Sequence, residues 1–419
     1  MTKSEIRTAR RASWRAMIGA CLGGLVAWSA AAQDKMPDEW APWKDPKNPG
    51  VQRLNLDGSE NALVERRDTS HDPKRDPGPV NPQRYGFGFL AKGGFPTYLG
   101  APLAFNSADL KAGKIDVALV GLTIDDQVIA GAGLAANAMR TLNDYSFYPG
   151  ATDNTLGIDY LPAVSIADYG NVASHFGQNE RSLEEVHKVV AEILAADTMP
   201  LGVGGTHIQS YGFITALAQK YGPKNFVILH VDAHYDAMTA GVGRFVHNGN
   251  MFYQAVERGL VRGEDIIQVG LRSPKPDAGD FKWMMDHKLR FHFQAEIDHD
   301  GFDTVLRRLL AEIKDRPVYL SFDMDGIDPA WGPGVGTQEP GGLTGPNAMT
   351  LMRALAIQNR LVAAEFNEYN PLMDDRHHTT GILMDRLIRS MLAGMAARKQ
   401  GITDPFYVDP QRLHHGAAK

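Results

Sequence analysis

The chain has 419 residues, 43% of them hydrophobic and 22% charged, which is enough to bury a large core. Its formal charge is −6; residues 1–32 hold five basic side chains against Glu5, so the remainder carries −10. That balance argues against nucleic acid or an anionic membrane as partner and favours a small cation.

A basic stretch opens the chain and runs into "AMIGACLGGLVAWSAAA", an uncharged segment ending in small side chains. This is the pattern of a secretory signal over residues 1–32, with cleavage expected after Ala32 and a periplasmic destination, by the Sec or the Tat route. The alternative is a transmembrane anchor, but the run is short and rich in Gly and Ala, so no stable membrane anchor is expected. Cys21, the only cysteine, lies inside this segment. The mature chain therefore has no thiol, and any metal must be held by Asp, Glu and His.

Residues 33–113 form an N-terminal extension. As far as about residue 84 it is rich in Pro, Asp, Lys and Arg, and it reads as an extended arm on the body or on a neighbouring subunit, with disorder as the alternative. From "KIDVALVG" (114–121) onward, apolar runs alternate with helical patterns. Strands are expected at 116–121, 163–167, 200–203, 226–231, 266–271, 289–293, 318–323 and 361–366. Between them, Leu183, Val186, Val190, Ile193 and Leu194 share one helical face, as do Val305, Leu306, Leu309 and Leu310. This alternation over 114–400 implies an α/β protein, a three-layer α/β/α sandwich around a central, mostly parallel sheet, followed by a tail at 401–419. Such sheets gather their ligands at the C-terminal ends of the strands.

Two of those strand ends are acidic. "FVILHV" runs into Asp232, His234 and Asp236, and "VYLSF" runs into Asp323 and Asp325. In an extended segment, positions i, i+2 and i+4 point to one side, so each set is expected to converge. A third contribution is "LGVGGTH", where Gly204 and Gly205 end a strand and deliver His207. Buried carboxylates are costly unless paired or bound to metal. Four of them outweigh one divalent ion and match two, and two ions about 3.5 Å apart bring the pKa of a shared water from 15.7 toward ~7. Oxygen with imidazole donors suits Mn²⁺, with Ni²⁺, Co²⁺ or Zn²⁺ as alternatives. For any single Asp the alternative is a helix cap or a turn, and for a lone histidine a satisfied core position.

"GGTH", "DAHYD", "SFDMDGIDP", "GVGTQEPGG" and "EFNEYNP" together resemble the signatures of the ureohydrolase family of arginase, agmatinase and guanidinobutyrase, in family order over roughly residues 90–400. "GGFPTYLGAPL" (93–103) is similar to the agmatinase-like branch. The resemblance implies an arginase-like fold, two divalent ions per chain, and hydrolysis of a small cationic guanidino substrate to urea and an amine. It implies one ion held by His207, Asp232, Asp236 and Asp323, and another by Asp232, His234, Asp323 and Asp325. His247 matches the family's histidine near the substrate and reads as a proton shuttle, its alternative being an exposed loop histidine. Glu368 matches the glutamate that grips the guanidinium, and Asp325 or His247 would protonate the leaving amine. A homo-oligomer, trimer or hexamer, is implied as well. Asp328, ahead of Pro329, reads as a turn residue, and the glycine-rich stretch after it as a loop shaping the rim of the cleft.

Agmatine is the expected substrate, with 4-guanidinobutyrate or free guanidine as alternatives. A mononuclear zinc deacetylase of the related fold is the alternative from another reaction class, and a silent metal-stabilised binding protein is a third. Thr206 stands where the family pattern has Asp, which alters the support of the metal site. The stretch "VGLTIDDQVIAGAGLAANAMR" lacks the family's usual Arg near the substrate mouth, which leaves substrate identity open.

Overall fold

In this computed structural model, residues 76–80, 96–125, 131–145, 151–175, 177–241 and 244–413 are described. The expected export signal and most of the expected arm lie outside them. The chain divides after Asp76, and Pro77–Lys419 is the unit that carries the fold.

Ten strands occur among the described residues: β1 (Val117–Gly121), β2 (Thr152–Asp153), β3 (Ile158–Asp159), β4 (Ile166–Asn171), β5 (Met199–Val203), β6 (Val227–Val231), β7 (Ile266–Leu271), β8 (Arg290–Phe293), β9 (Val318–Asp323) and β10 (Leu361–Asn367). Eight of them form one sheet in the order β4-β1-β5-β10-β9-β6-β7-β8, with every pairing parallel. β2 and β3 make a separate antiparallel pair. Each of the eight expected strands is present. The inner ones, such as "VALVG" and "VILHV", are buried along their whole length, because helices cover both faces.

On one face pack the helices Gly345–Gln358, Thr379–Lys399 and Phe302–Ile313, and on the other Asn179–Ala195, Ser210–Tyr221 and Met251–Glu257. The two amphipathic patterns read from the sequence are buried as expected: Leu183, Val186, Val190, Ile193 and Leu194 in one helix, and Val305, Leu306, Leu309 and Leu310 in the other.

The topology decides where the site lies. The chain builds β5, then β6 to β8 outward, and then returns to insert β9 and β10 between β5 and β6. Four neighbouring central strands therefore end together, which is the crevice where open α/β sheets bind ligands. The register aligns their residues in rows. Glu365 of β10 is paired with Gly202 on one side and Ser321 on the other, and Ser321 is followed by His230 and then Gln268. Two residues further along the strands, Asn367 is paired with Asp323.

The edge strand β4 starts three residues later than expected and runs on into "DYGN". Its polar Asp168 is buried because Arg140, on helix Ala135–Tyr145, grips both carboxylate oxygens at 2.7 Å. Arg140 also donates to Asn171 Oδ1 at 2.6 Å, which ties the helix to the strand. Arg140→Met strands a buried carboxylate, and the expected loss is about 3–5 kcal/mol of unfolding free energy in a denaturant titration. An unchanged midpoint would mean that the Tyr98 and Gly170 amides alone satisfy Asp168.

Candidate metal centre and active site

His207 follows β5 through Gly204 and Gly205, both with positive φ. A side chain at Gly205 would meet the Gln209 amide, so this turn requires glycine. Asp232, His234 and Asp236 follow β6, while Asp323 ends β9 and caps the single turn Met324–Gly326 that carries Asp325. All four acids are buried. The strands end before the clusters do, so convergence does not come from an extended pleat. Asp236 swings inward through a left-handed backbone, φ 46°. Asp323 accepts from the Asp325 amide at 2.8 Å to close its turn.

His207 Nδ1 faces Asp232 Oδ2 at 3.1 Å, Asp236 Oδ2 at 3.0 Å and Asp323 Oδ2 at 3.1 Å. Yet this nitrogen, fully buried, has no hydrogen-bond partner. His234 Nδ1 lies 3.0 Å from Asp325 Oδ2 and 3.4 Å from Asp232 Oδ1. The two oxygens of Asp232 thus point to two different imidazoles, and Asp232 belongs to both groups of possible metal donors among the described residues. Donors about 2.1 Å from a shared ion and at right angles are about 3.0 Å apart, so the residues present fit a divalent ion beside His207. The His234 group offers a second position.

The electrostatics agree with that fit. Burial opposes protonation of His207, yet Asp232, Asp236 and Asp323 hold it well above the ordinary imidazole range. Burial likewise opposes a charge on His234, and Asp232 and Asp325 push its pKa up to about 12. Burial, followed by the charge of Asp232, lifts Asp325 to about 6. The cluster draws in any positive charge available to it.

Glu368 sits just past β10 with φ 65°, a backbone cost of about 1–3 kcal/mol. It is held there by its own amide, which donates to Gly205 O at 2.9 Å, and by the His207 amide, which donates to Oε1 at 2.7 Å. Its other oxygen, Oε2, is buried without a partner, and burial raises the carboxyl pKa to about 8. Glu368, His207, His234, Asp236, Asp323 and Asp325 line one cavity of about 460 Å³.

His247 lines the same cavity, but its ring is engaged with backbone. Nδ1 accepts from the Gly249 amide at 3.2 Å, and Nε2 lies 3.1 Å from Ala240 O. It caps the turn Asn248–Asn250, so a shuttle role requires the ring to leave Ala240 first. Its neighbour Asn248, not singled out in the sequence, also lines the cavity and accepts from the Ile208 amide beside His207.

Several supporting residues were not read from the sequence. Buried His230 contacts Asp232 Oδ2 through Nε2 at 2.8 Å, while its Nδ1 accepts from the Gln268 amide nitrogen at 3.0 Å. That pairing leaves Nε2–H as the donor, so His230 orients the shared carboxylate and has no nitrogen left for metal. Thr337, on the rim loop, donates to Asp325 Oδ2 at 2.9 Å. Arg272 donates to the carbonyls of Asp325 and Glu339 at 2.7 and 2.6 Å, fastening the Asp325 turn to that loop. Asp328 accepts from the Ala330, Gly341 and Gly342 amides, the turn role expected of it. Buried Thr206 Oγ1 has no partner.

Comparison with known proteins agrees with this geometry. The profile of the arginase family matches residues 115–394. The chain is 30% identical over 306 residues to a guanidinobutyrase of Pseudomonas aeruginosa, covering 72% of this chain and 92% of that one. It is 31% identical over 300 residues to an agmatinase of Chromobacterium violaceum, covering 70% and 87%. Among solved structures, a hypothetical agmatinase from Burkholderia thailandensis superposes with a TM-score of 0.65 at 26% identity, over 76% of this chain and 97% of that one. With its sheet order, its paired donor groups and this extent of similarity, the chain belongs to the arginase family.

Proposed function

We propose that this protein hydrolyses a guanidino compound to urea and an amine at two divalent ions, with agmatine as the substrate read from the sequence. The observation that carries the proposal is the unpartnered Glu368 Oε2 in the same cavity as two donor groups that share Asp232. Manganese is the preferred ion for such oxygen and imidazole donors, with nickel next. His207, Asp232, Asp236 and Asp323 would hold one ion, and Asp232, His234, Asp323 and Asp325 the other. Bound there, the ions supply water activated at neutral pH.

The chain's own residues do the rest. Glu368 Oε2 accepts from the guanidinium, and its fixed backbone aims the guanidinium carbon at the metal ligands. Water adds to that carbon, one C–N bond breaks, and the departing amine takes up a proton. Asp325 lies inside the donor cluster and can relay that proton, whereas His247 must first release Ala240. The second donor group, His234 with Asp325, favours this reading over a mononuclear deacetylase.

A second reading within the same reaction is a guanidino acid such as 4-guanidinobutyrate. Arg244 and Lys275 are exposed residues of the cavity lining, and such cations suit a carboxylate tail better than the ammonium of agmatine. Urea release from agmatine, 4-guanidinobutyrate, arginine and guanidine tests both readings. Urea from none of them contradicts the reaction, and the ratio of kcat/KM for the first two decides the tail. Glu368→Gln should retain metal and lose about ten- to hundred-fold in kcat/KM, as expected for a charge-assisted contact of about 1.5–3 kcal/mol. Undiminished turnover by Glu368→Gln would remove Glu368 from the substrate.

We further propose that the protein acts outside the cytoplasm, as a homo-oligomer. The basic and apolar N-terminus supports export, and none of the described helices is long and apolar enough to cross a membrane. Mass spectrometry of the native protein should find a mature terminus near Gln33. An intact Met1 on cytoplasmic protein would refute export.

A further inference from the structure

Beneath the metal-facing carboxylates, one row deeper in the sheet, lies a buried polar layer that the proposed chemistry does not use. Glu365, Ser321 and His230 are neighbours across β10, β9 and β6, and each is fully buried. Glu365 has room there because β5 offers Gly202, where an added Cβ would fall 3.1 Å from Glu365 Cβ and 2.8 Å from the Phe213 ring. Burying a carboxyl at the centre of a sheet is costly unless it is hydrogen-bonded. Glu365 Oε1 receives three hydroxyls, those of Ser210, Tyr319 and Ser321. Its Oε2 has none.

Three donors on one oxygen require that oxygen to act purely as acceptor, so the hydroxyl of Ser321 points at Glu365. Ser321 Oγ also lies 3.2 Å from Ser210 Oγ, but both of those hydroxyls point at Glu365, so Ser321 is left to accept from its other side, where His207 Nε2 lies 2.8 Å away. His207 turns its other nitrogen, Nδ1, toward Asp232, Asp236 and Asp323. A ligating imidazole carries its proton on the far nitrogen, so the directions agree along the whole chain: His207 Nε2–H donates to Ser321, and Ser321 donates to Glu365. Thr206, next to His207, contributes no hydrogen bond through its hydroxyl.

We propose that Glu365 is the positioning residue of the His207 metal ligand, acting through Ser321. It fixes the ring with Nδ1 toward the ion and makes that nitrogen a stronger donor. The far nitrogen of His234, Nε2, faces only the Glu339 carboxylate at 3.9 Å, beyond hydrogen-bond distance, while its Nδ1 lies against Asp325 and Asp232. The relay therefore acts on one of the two metal positions. This inference rests on the binuclear reading of the site.

The test is calorimetric titration of the metal-free full-length protein with Mn²⁺, for wild type, Ser321→Ala, Glu365→Gln, the double variant and Ser321→Thr. Wild type should show two sites. Ser321→Ala and Glu365→Gln should each weaken one of them about ten- to hundred-fold and leave the other within a few-fold. The double variant should lose no more than the worse single one, because both substitutions cut the same chain. Ser321→Thr, which restores a hydroxyl, should recover most of the affinity. Equal weakening of both sites, unchanged affinities, or multiplicative losses in the double variant would overturn the proposal. Wild-type protein that binds no divalent ion would overturn the binuclear reading instead. Ser321→Ala keeps the test decisive if Glu365→Gln does not fold.

Discussion

Four carboxylates brought together at the end of a buried sheet repel one another, and the site exists only because something positive compensates them. Two like charges 4 Å apart cost about 4 kcal/mol at an effective dielectric of 20. Asp232, Asp236, Asp323 and Asp325 are all buried, and three of them crowd one imidazole nitrogen. Against the opposing effect of burial, the surrounding carboxylates push the pKa values of His207 and His234 upward, so the cluster favours positive charge. The inserted strands β9 and β10 create this convergence, and the rest of the architecture restrains it.

Those restraints are polar and local. Arg272 fastens the Asp325 turn to the rim loop through carbonyl oxygens, and Thr337 reaches Asp325 from that loop. His230 orients Asp232 from one row below, with its own tautomer set by Gln268. Two residues of the candidate site, Asp236 and Glu368, adopt left-handed backbones that bulky L-residues avoid. Strain of this kind persists where the surroundings over-determine it, as the paired amides around Glu368 do.

Much of this was legible in the sequence. The apolar runs marked the eight sheet strands, and the acidic residues after two of them marked the cluster, although Asp232, His234 and Asp236 meet beyond the end of β6, with Asp236 in a left-handed backbone, and not through the extended spacing expected of them. The polar layer was not legible. Ser321 and Glu365 sit within "VYLSF" and "LVAAEF", which read as core strands, and a strand buried on both faces gives no alternation to mark its polar positions. The continuation of β4 into "DYGN" was hidden for a similar reason: Asp168 looks like a loop residue until Arg140 is seen to neutralise it. The β2–β3 pair, two residues per strand, is too short for any periodicity. His247 was read from the sequence as a histidine near the substrate, but its cap on the Gly249 amide through Nδ1 and its contact with Ala240 O through Nε2 depend on the fold of that loop, which no motif states.

The central claim is that one buried carboxylate, Asp232, serves two metal positions. Elemental analysis of metal-loaded protein tests it most directly, with wild type compared to Asp232→Ala. The account predicts about two divalent ions per chain in wild type and loss of both positions on the single substitution, because one side chain contributes to each. A single ion in wild type, or Asp232→Ala that retains a full complement, would contradict it.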